Sequence, residues 1–349
     1  MEAIKKKQYG MIDVAKFLCA LLILVYHYFS EHGPIFWLFE EMLSLYAIGV
    51  ALFMIISGFL TYRKLELVEG TKERWTIIKK QVVRILKIYL LWSVPYIIYQ
   101  VCKWDFANIN LSFVFWKIQS WVFSSTFYTI WFMPALAIGT ILSFWLLEKA
   151  PRVLTYILAI ICYILGALQL TYSFVLESVP FWNDFINFSS TWLGGARGWL
   201  FFAFPLTTLG RCIVRCKDKV KPLPFAIFSV LTVGLILLEG ILLRYFVGGT
   251  GIDLTMSMPL AVACILCFLI SVDVKSSPCL VWMRKMSVLI FMSQRLFLTV
   301  LVSFLPLSVY NVIFSNVYLG AIIICGATVI LSAGIIQLSK KIKCLKSLY

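Results

Sequence analysis

The stretch DVAKFLCALLILVYHYFSEH, residues 13–32, reads as a helix long and apolar enough to cross a bilayer. It nevertheless carries Asp13 and Lys16 at one end and both histidines of the chain, His27 and His32, at the other. Lys16 and His27 are eleven positions apart. At the helical turn angle this is three turns plus about 20°, so the two share one face about 16 Å apart along the axis. Asp13, one turn before Lys16, stands on that face and is expected to pair with it. Ionisable groups inside a span are costly and face a cavity or one another. One polar stripe through the first span is therefore expected.

The rest of the chain agrees with a lipid solvent. Of 349 residues, 62% are hydrophobic and 13% charged, against roughly 45–50% and 25% in a soluble domain. Abundant Phe, Tyr and Trp suit two interfacial belts. The first apolar stretch has no small-residue cleavage site, so a secretory signal peptide is not expected. Apolar runs of spanning length fall at about 11–29, 43–62, 86–102, 129–147, 153–172, 195–213, 223–246, 256–272, 287–305 and 317–338. Long unbroken runs span as helices. The expectation is an all-α integral membrane protein, a single bundle of about ten transmembrane helices without a separate soluble domain.

The net charge of +15 is topological rather than a sign of nucleic-acid binding. With both termini cytoplasmic, 25 of the 31 lysines and arginines fall on the inner side, and only Lys103 and Lys117 lie in outer loops. Lys16, Arg197, Arg244 and Arg295 fall within or at the edge of spans. The inner segment 63–87 is densely basic, as suits anionic lipid or a phosphate-bearing nucleotide. The ten cysteines lie mostly in apolar runs, and Cys264-x-x-Cys267 has no neighbouring histidine, so packing rather than metal or a disulfide framework is expected.

Several residues together resemble a known family. Lys16-x10-His27 preceded by Asp13 resembles the Arg/Lys-x10-His signature of the membrane-bound acyltransferase-3 family. FMIISGFLTYRK (53–64), RILKIYLLW (84–92), IWFMPALAIG (130–139) and GWLFFAFPLTTLG (198–210) are similar to its second-, third-, fourth- and sixth-helix stretches. The resemblance covers essentially the whole chain. It implies transfer of an acyl group, commonly acetyl, from cytoplasmic acyl-coenzyme A to a hydroxyl of an envelope carbohydrate or another acceptor. No permanently bound cofactor or metal is implied, membrane lipids are the surroundings, and a homodimer is compatible. The setting it implies is a bacterial cytoplasmic membrane. One departure stands in the ninth helix, where many members read Ser-x-x-Ile-Tyr-x-x-His. Here Ser287 and Ile290 match, but Phe291 and Gln294 replace the last two.

On that basis Lys16, Ser57, Arg84 and Lys87 are expected to hold the donor, the last two at its phosphates, and Lys16 is also a catalytic candidate at the thioester carbonyl. His27 is the candidate base or acyl carrier, and Glu239, in the outer part of the seventh span, its orienting partner. Tyr128, Trp131 and Arg197 are expected to line an outer acceptor pocket, with Asp13, Gln294 and Arg295 also among the substrate-binding groups. The same stripe suits a second reading, a transporter of an amino acid or small solute. The membrane domains of vancomycin-resistance serine racemases look similar. A third is an accessory membrane subunit without chemistry.

Overall fold

A computed structural model describes residues 9–32, 45–106, 109–127, 129–247 and 254–349. Nine helices among them are long and apolar enough to cross a membrane. The first, α1 (Gly10–His32), is one unbroken rod. It packs against α2 (Tyr46–Leu65) and against α11 (Pro278–Arg295). Most of α2 is buried on all sides, as its run of apolar and small residues requires of a core helix.

The helix α3 (Thr71–Cys102) is 32 residues long, or about 48 Å, well beyond a ~30 Å hydrocarbon layer. The apolar run at 86–102 is only its outer half. Its inner half is helical because Ile78, Val82, Ile85 and Ile88 recur at helical spacing and are buried, while no glycine or proline interrupts them. This inner half carries much of the basic charge to the inner face.

The short α4 (Leu111–Phe123) follows on the outer side, capped by the Asn110 side chain accepting from Phe113 N at 2.8 Å. Then come α5 (Phe132–Lys149), α6 (Arg152–Gln169) and the short α7 (Trp182–Phe188). The sixth span is irregular. A π segment (Ser189–Leu193), a turn and a second π segment (Trp199–Ala203) lead into α8 (Phe204–Cys216). Backbone meets backbone where α2 crosses α8. A Cβ on Gly58 would lie 2.4 Å from the Thr207 carbonyl oxygen, and one on Gly210 2.5 Å from that of Ile55. Glycine is required at both.

The long α9 (Pro222–Val247) is strongly apolar and little buried, the signature of a lipid-facing helix. The eighth expected span is a 14-residue helix, α10 (Met258–Ser271), about 21 Å long and short for a bilayer. The reason is Glu239 of α9. Its carboxylate accepts from Met256 N (2.6 Å), from Ser257 N (3.1 Å), and from the Ser257 and Tyr172 hydroxyls. These bonds fix an irregular segment ahead of Pro259 and start the helix late.

The ninth span starts nine residues earlier than its apolar run, with Ser277 as N-cap and Pro278 behind it. It continues past Arg295 as a π segment (Leu296–Leu301). The outer α12 (Leu307–Phe314) and then α13 (Val317–Leu338) complete the fold. Residues 9 and 349 line one cavity, so both lie on the same face, which the charge bias assigns to the cytoplasm.

Candidate functional site

A cavity of about 660 Å³ opens on the inner face between α1, α2, α3 and α11. Among the described residues its walls carry Lys16, Arg63, Lys64, Arg84, Arg284 and Lys285 against one side-chain carboxylate, Asp13. That carboxylate is engaged by Arg284 in a two-pronged fork, Nε to Oδ1 at 2.8 Å and Nη2 to Oδ2 at 2.6 Å. The expected Asp13–Lys16 pair gives way to this fork. The Lys16 ammonium instead stands 5.5 Å from the Phe53 ring centroid, within the field of Asp13, Arg84 and Arg284. A one-turn spacing allowed the Lys16 pair, but a guanidinium fits both carboxylate oxygens at once.

Ser57 lies on the cavity wall, set by the close α2–α8 crossing behind it. Arg84 is on the wall, whereas Lys87 is exposed and does not line the cavity. At the mouth Arg63 covers the Tyr9 ring at 4.6 Å and Lys285 the Tyr349 ring at 5.3 Å. The Tyr349 segment is tied down by Trp92 Nε1 donating to the Leu348 carbonyl at 3.1 Å. On the cavity wall the rings of Phe53, Phe132 and Phe291 converge, with centroids 4.6–6.2 Å apart. Phe291, one of the two departures in the ninth helix, is thus part of an aromatic cluster on that wall.

His27 lies on neither cavity wall. Its Nδ1 accepts from Arg295 Nη2 at 3.1 Å, and Nη1 of the same guanidinium forms an ion pair with Glu31. Arg295 is almost wholly buried, and the charge of Arg197 also reaches the imidazole. Glu239 is therefore not the partner of His27, because its acceptor positions serve the α10 N-terminus. Position along each helix was legible in the sequence, but the side of the helix that meets a neighbour was not. Gln294 is fully buried and donates to the Phe291 carbonyl at 3.0 Å. It lines neither cavity.

A second pocket of about 280 Å³ brings Trp131 and Arg197 together with Phe123, Ser124 and Leu170. Its other wall is glycine backbone. Gly194 and Gly195 have φ of 78° and 69°, a left-handed turn that breaks the sixth span. A Cβ on Gly198 would lie 2.1 Å from the Leu193 carbonyl oxygen. Tyr128, expected in this pocket, lies outside the described residues. Glu31 and Arg284 were missed by sequence reasoning. Glu31 lies one turn beyond His27 and was legible as its i+4 neighbour, whereas Arg284 was read only as an inner-loop charge.

A profile described as an acyltransferase domain, that of the acyltransferase-3 family, matches residues 9–336. The chain belongs to this family. Two amino-acid racemases of Enterococcus faecalis are also similar. One is 27% identical over 223 residues, covering 62% of this chain and 30% of the racemase. The other is 25% identical over 211 residues, covering 60% and 30%. The acyltransferase-3 chain thus aligns with under a third of either racemase. No solved structure matches.

Proposed function

We propose that this protein moves an acyl group, in the first instance acetyl, from cytoplasmic acyl-coenzyme A to a hydroxyl of a cell-envelope carbohydrate or related acceptor, in a bacterial cytoplasmic membrane. The inner cavity carries the reading. Among the described residues, six cationic side chains line this space and its one side-chain carboxylate is already paired with Arg284, which suits a ligand bearing several phosphates. Arg84, Lys285 and Arg63 at the mouth would hold phosphates, and Lys16 further in would meet the thioester carbonyl. His27 would take the acceptor's hydroxyl proton. Trp131 and Arg197 would bind the acceptor in the outer pocket. A narrow acyl arm would have to pass the phenylalanine cluster to reach the outer half.

A transporter of an amino acid or small solute is the second reading. It is favoured by the resemblance to amino-acid racemases and by Gln294, which cannot shuttle a proton. Turnover separates the two. Purified protein in vesicles loaded with radiolabelled acetyl-coenzyme A should release or transfer acetyl, and His27→Ala should abolish this while the protein stays folded. Proton-coupled uptake of a solute with no coenzyme A binding would reject the acyltransferase reading.

A further inference from the structure

The one polar contact of the His27 ring described above is with a group that can only donate. A guanidinium carries five N–H bonds and no acceptor. The ring nitrogen facing Arg295 Nη2 at 3.1 Å is Nδ1, so Nδ1 must supply a lone pair. A doubly protonated ring would set N–H against N–H. The imidazole in this arrangement is therefore neutral, and its single proton sits on Nε2. The same guanidinium reaches Glu31 through Nη1. Glu31 is four residues after His27 on α1, so the ring and the carboxylate lie on adjacent turns of one face. The charged and titratable groups bearing on the ring are Glu31 and Tyr26 from α1, Tyr46 from α2, Arg295 from α11, and Arg197.

We propose that Arg295 is a positioning residue that holds His27 as the Nε2–H tautomer, and that proton transfer at His27 begins when its guanidinium leaves Nδ1 and rests on Glu31 alone. This rests on the acyl-transfer reading. While Arg295 sits on Nδ1, His27 has no lone pair to offer a substrate. With Nδ1 released, the acceptor's O–H bond breaks and its proton moves to Nδ1. The acceptor oxygen then bonds to the acyl carbon, the carbon–sulfur bond of the thioester breaks, and the leaving sulfur takes that proton from the imidazolium. Glu31 is suited to receive the cation, since its side chain is 36% exposed and Arg295's only 2%. The regular helix also ends at Arg295, where the π segment begins, a feature common at functional sites.

Ring nitrogen shifts of ¹⁵N-histidine-labelled protein test this directly, because the chain has two histidines and His32→Gln identifies the second by its loss. The expected spectrum shows His27 protonated at Nε2 and bare at Nδ1. Arg295→Gln replaces the donor-only group by an amide that can donate or accept, and should mix the tautomers. Glu31→Gln should keep the tautomer yet lower acetyl turnover roughly tenfold to a hundredfold, with the KM for acetyl-coenzyme A within about twofold. A proton on Nδ1 in the unmodified protein would overturn the proposal. So would a spectrum that Arg295→Gln leaves unchanged, or normal turnover in Glu31→Gln. If Arg295→Gln fails to fold, the unmodified spectrum and Glu31→Gln decide. The expected spectrum without acetyl turnover in any protein would reject the acyl-transfer reading and the proton step built on it, leaving the tautomer assignment standing.

Discussion

At the scale of single residues, charges that look equivalent in the sequence separate sharply in space. Arg84 and Lys87 are three positions apart, yet only Arg84 lies on the inner cavity wall. Arg84→Ala and Lys285→Ala should each weaken binding of acetyl-coenzyme A by roughly tenfold, as loss of one charged hydrogen bond does. The loss should shrink as salt is raised. Lys87→Ala should bind within about twofold of the unmodified protein. Equilibrium binding with radiolabelled donor checks all three, and an equal loss from Lys87→Ala would place the phosphates elsewhere. The positions of Lys16 and His27 on α1 were legible because a straight helix fixes spacing and face together. The partners of Asp13 and His27 were not, since Arg284 and Arg295 come from more than 250 residues away. Helical periodicity says nothing about which helix lies opposite.

Elements were legible where their ends carry local chemistry. Val317–Leu338 follows Asn316, whose side chain accepts from Tyr318 N and Leu319 N, and its limits agree with the apolar run. The third span was read short because hydropathy sees only its outer half, while the inner half is an amphipathic helix held by four isoleucine and valine contacts. Ser57 is expected from the sequence to contact the donor. Ser57 does line the inner cavity, but Gly58 is there to let α2 and α8 touch. Gly58→Ala should destabilise the protein by about 1–3 kcal/mol. Gly234→Ala, with nothing within 4 Å of the added carbon, should be neutral or stabilise by up to about 1 kcal/mol. Denaturation in detergent tells them apart. Glu239→Gln should lower stability by about 1–3 kcal/mol by weakening the anchor of α10, and donor binding should not change. A selective loss of turnover without loss of stability would return Glu239 to the chemistry.

The whole molecule is a bundle with a basic cavity on one face and a smaller aromatic–arginine pocket elsewhere, with His27 on the wall of neither. Charge counting along the sequence sets the expected sidedness. The two cavities were not legible, because each is built by segments far apart in the chain and the second depends on a glycine turn that interrupts a span. Native cysteines test the sidedness. Cys102 lies at the outer end of α3, while Cys279 and Cys344 lie on the inner side, and all three are exposed. In single-cysteine proteins, an impermeant thiol reagent should label Cys102 on intact cells, and Cys279 and Cys344 only after permeabilisation. Reverse labelling would invert the topology. The central claim is that the inner cavity holds the acyl donor. Its most direct test is equilibrium binding of radiolabelled acetyl-coenzyme A to the purified protein. The account predicts saturable binding that the combined Arg84→Ala and Lys285→Ala protein loses by roughly a hundredfold and that His27→Ala retains. Absence of saturable binding, or binding indifferent to the two basic residues, would contradict it.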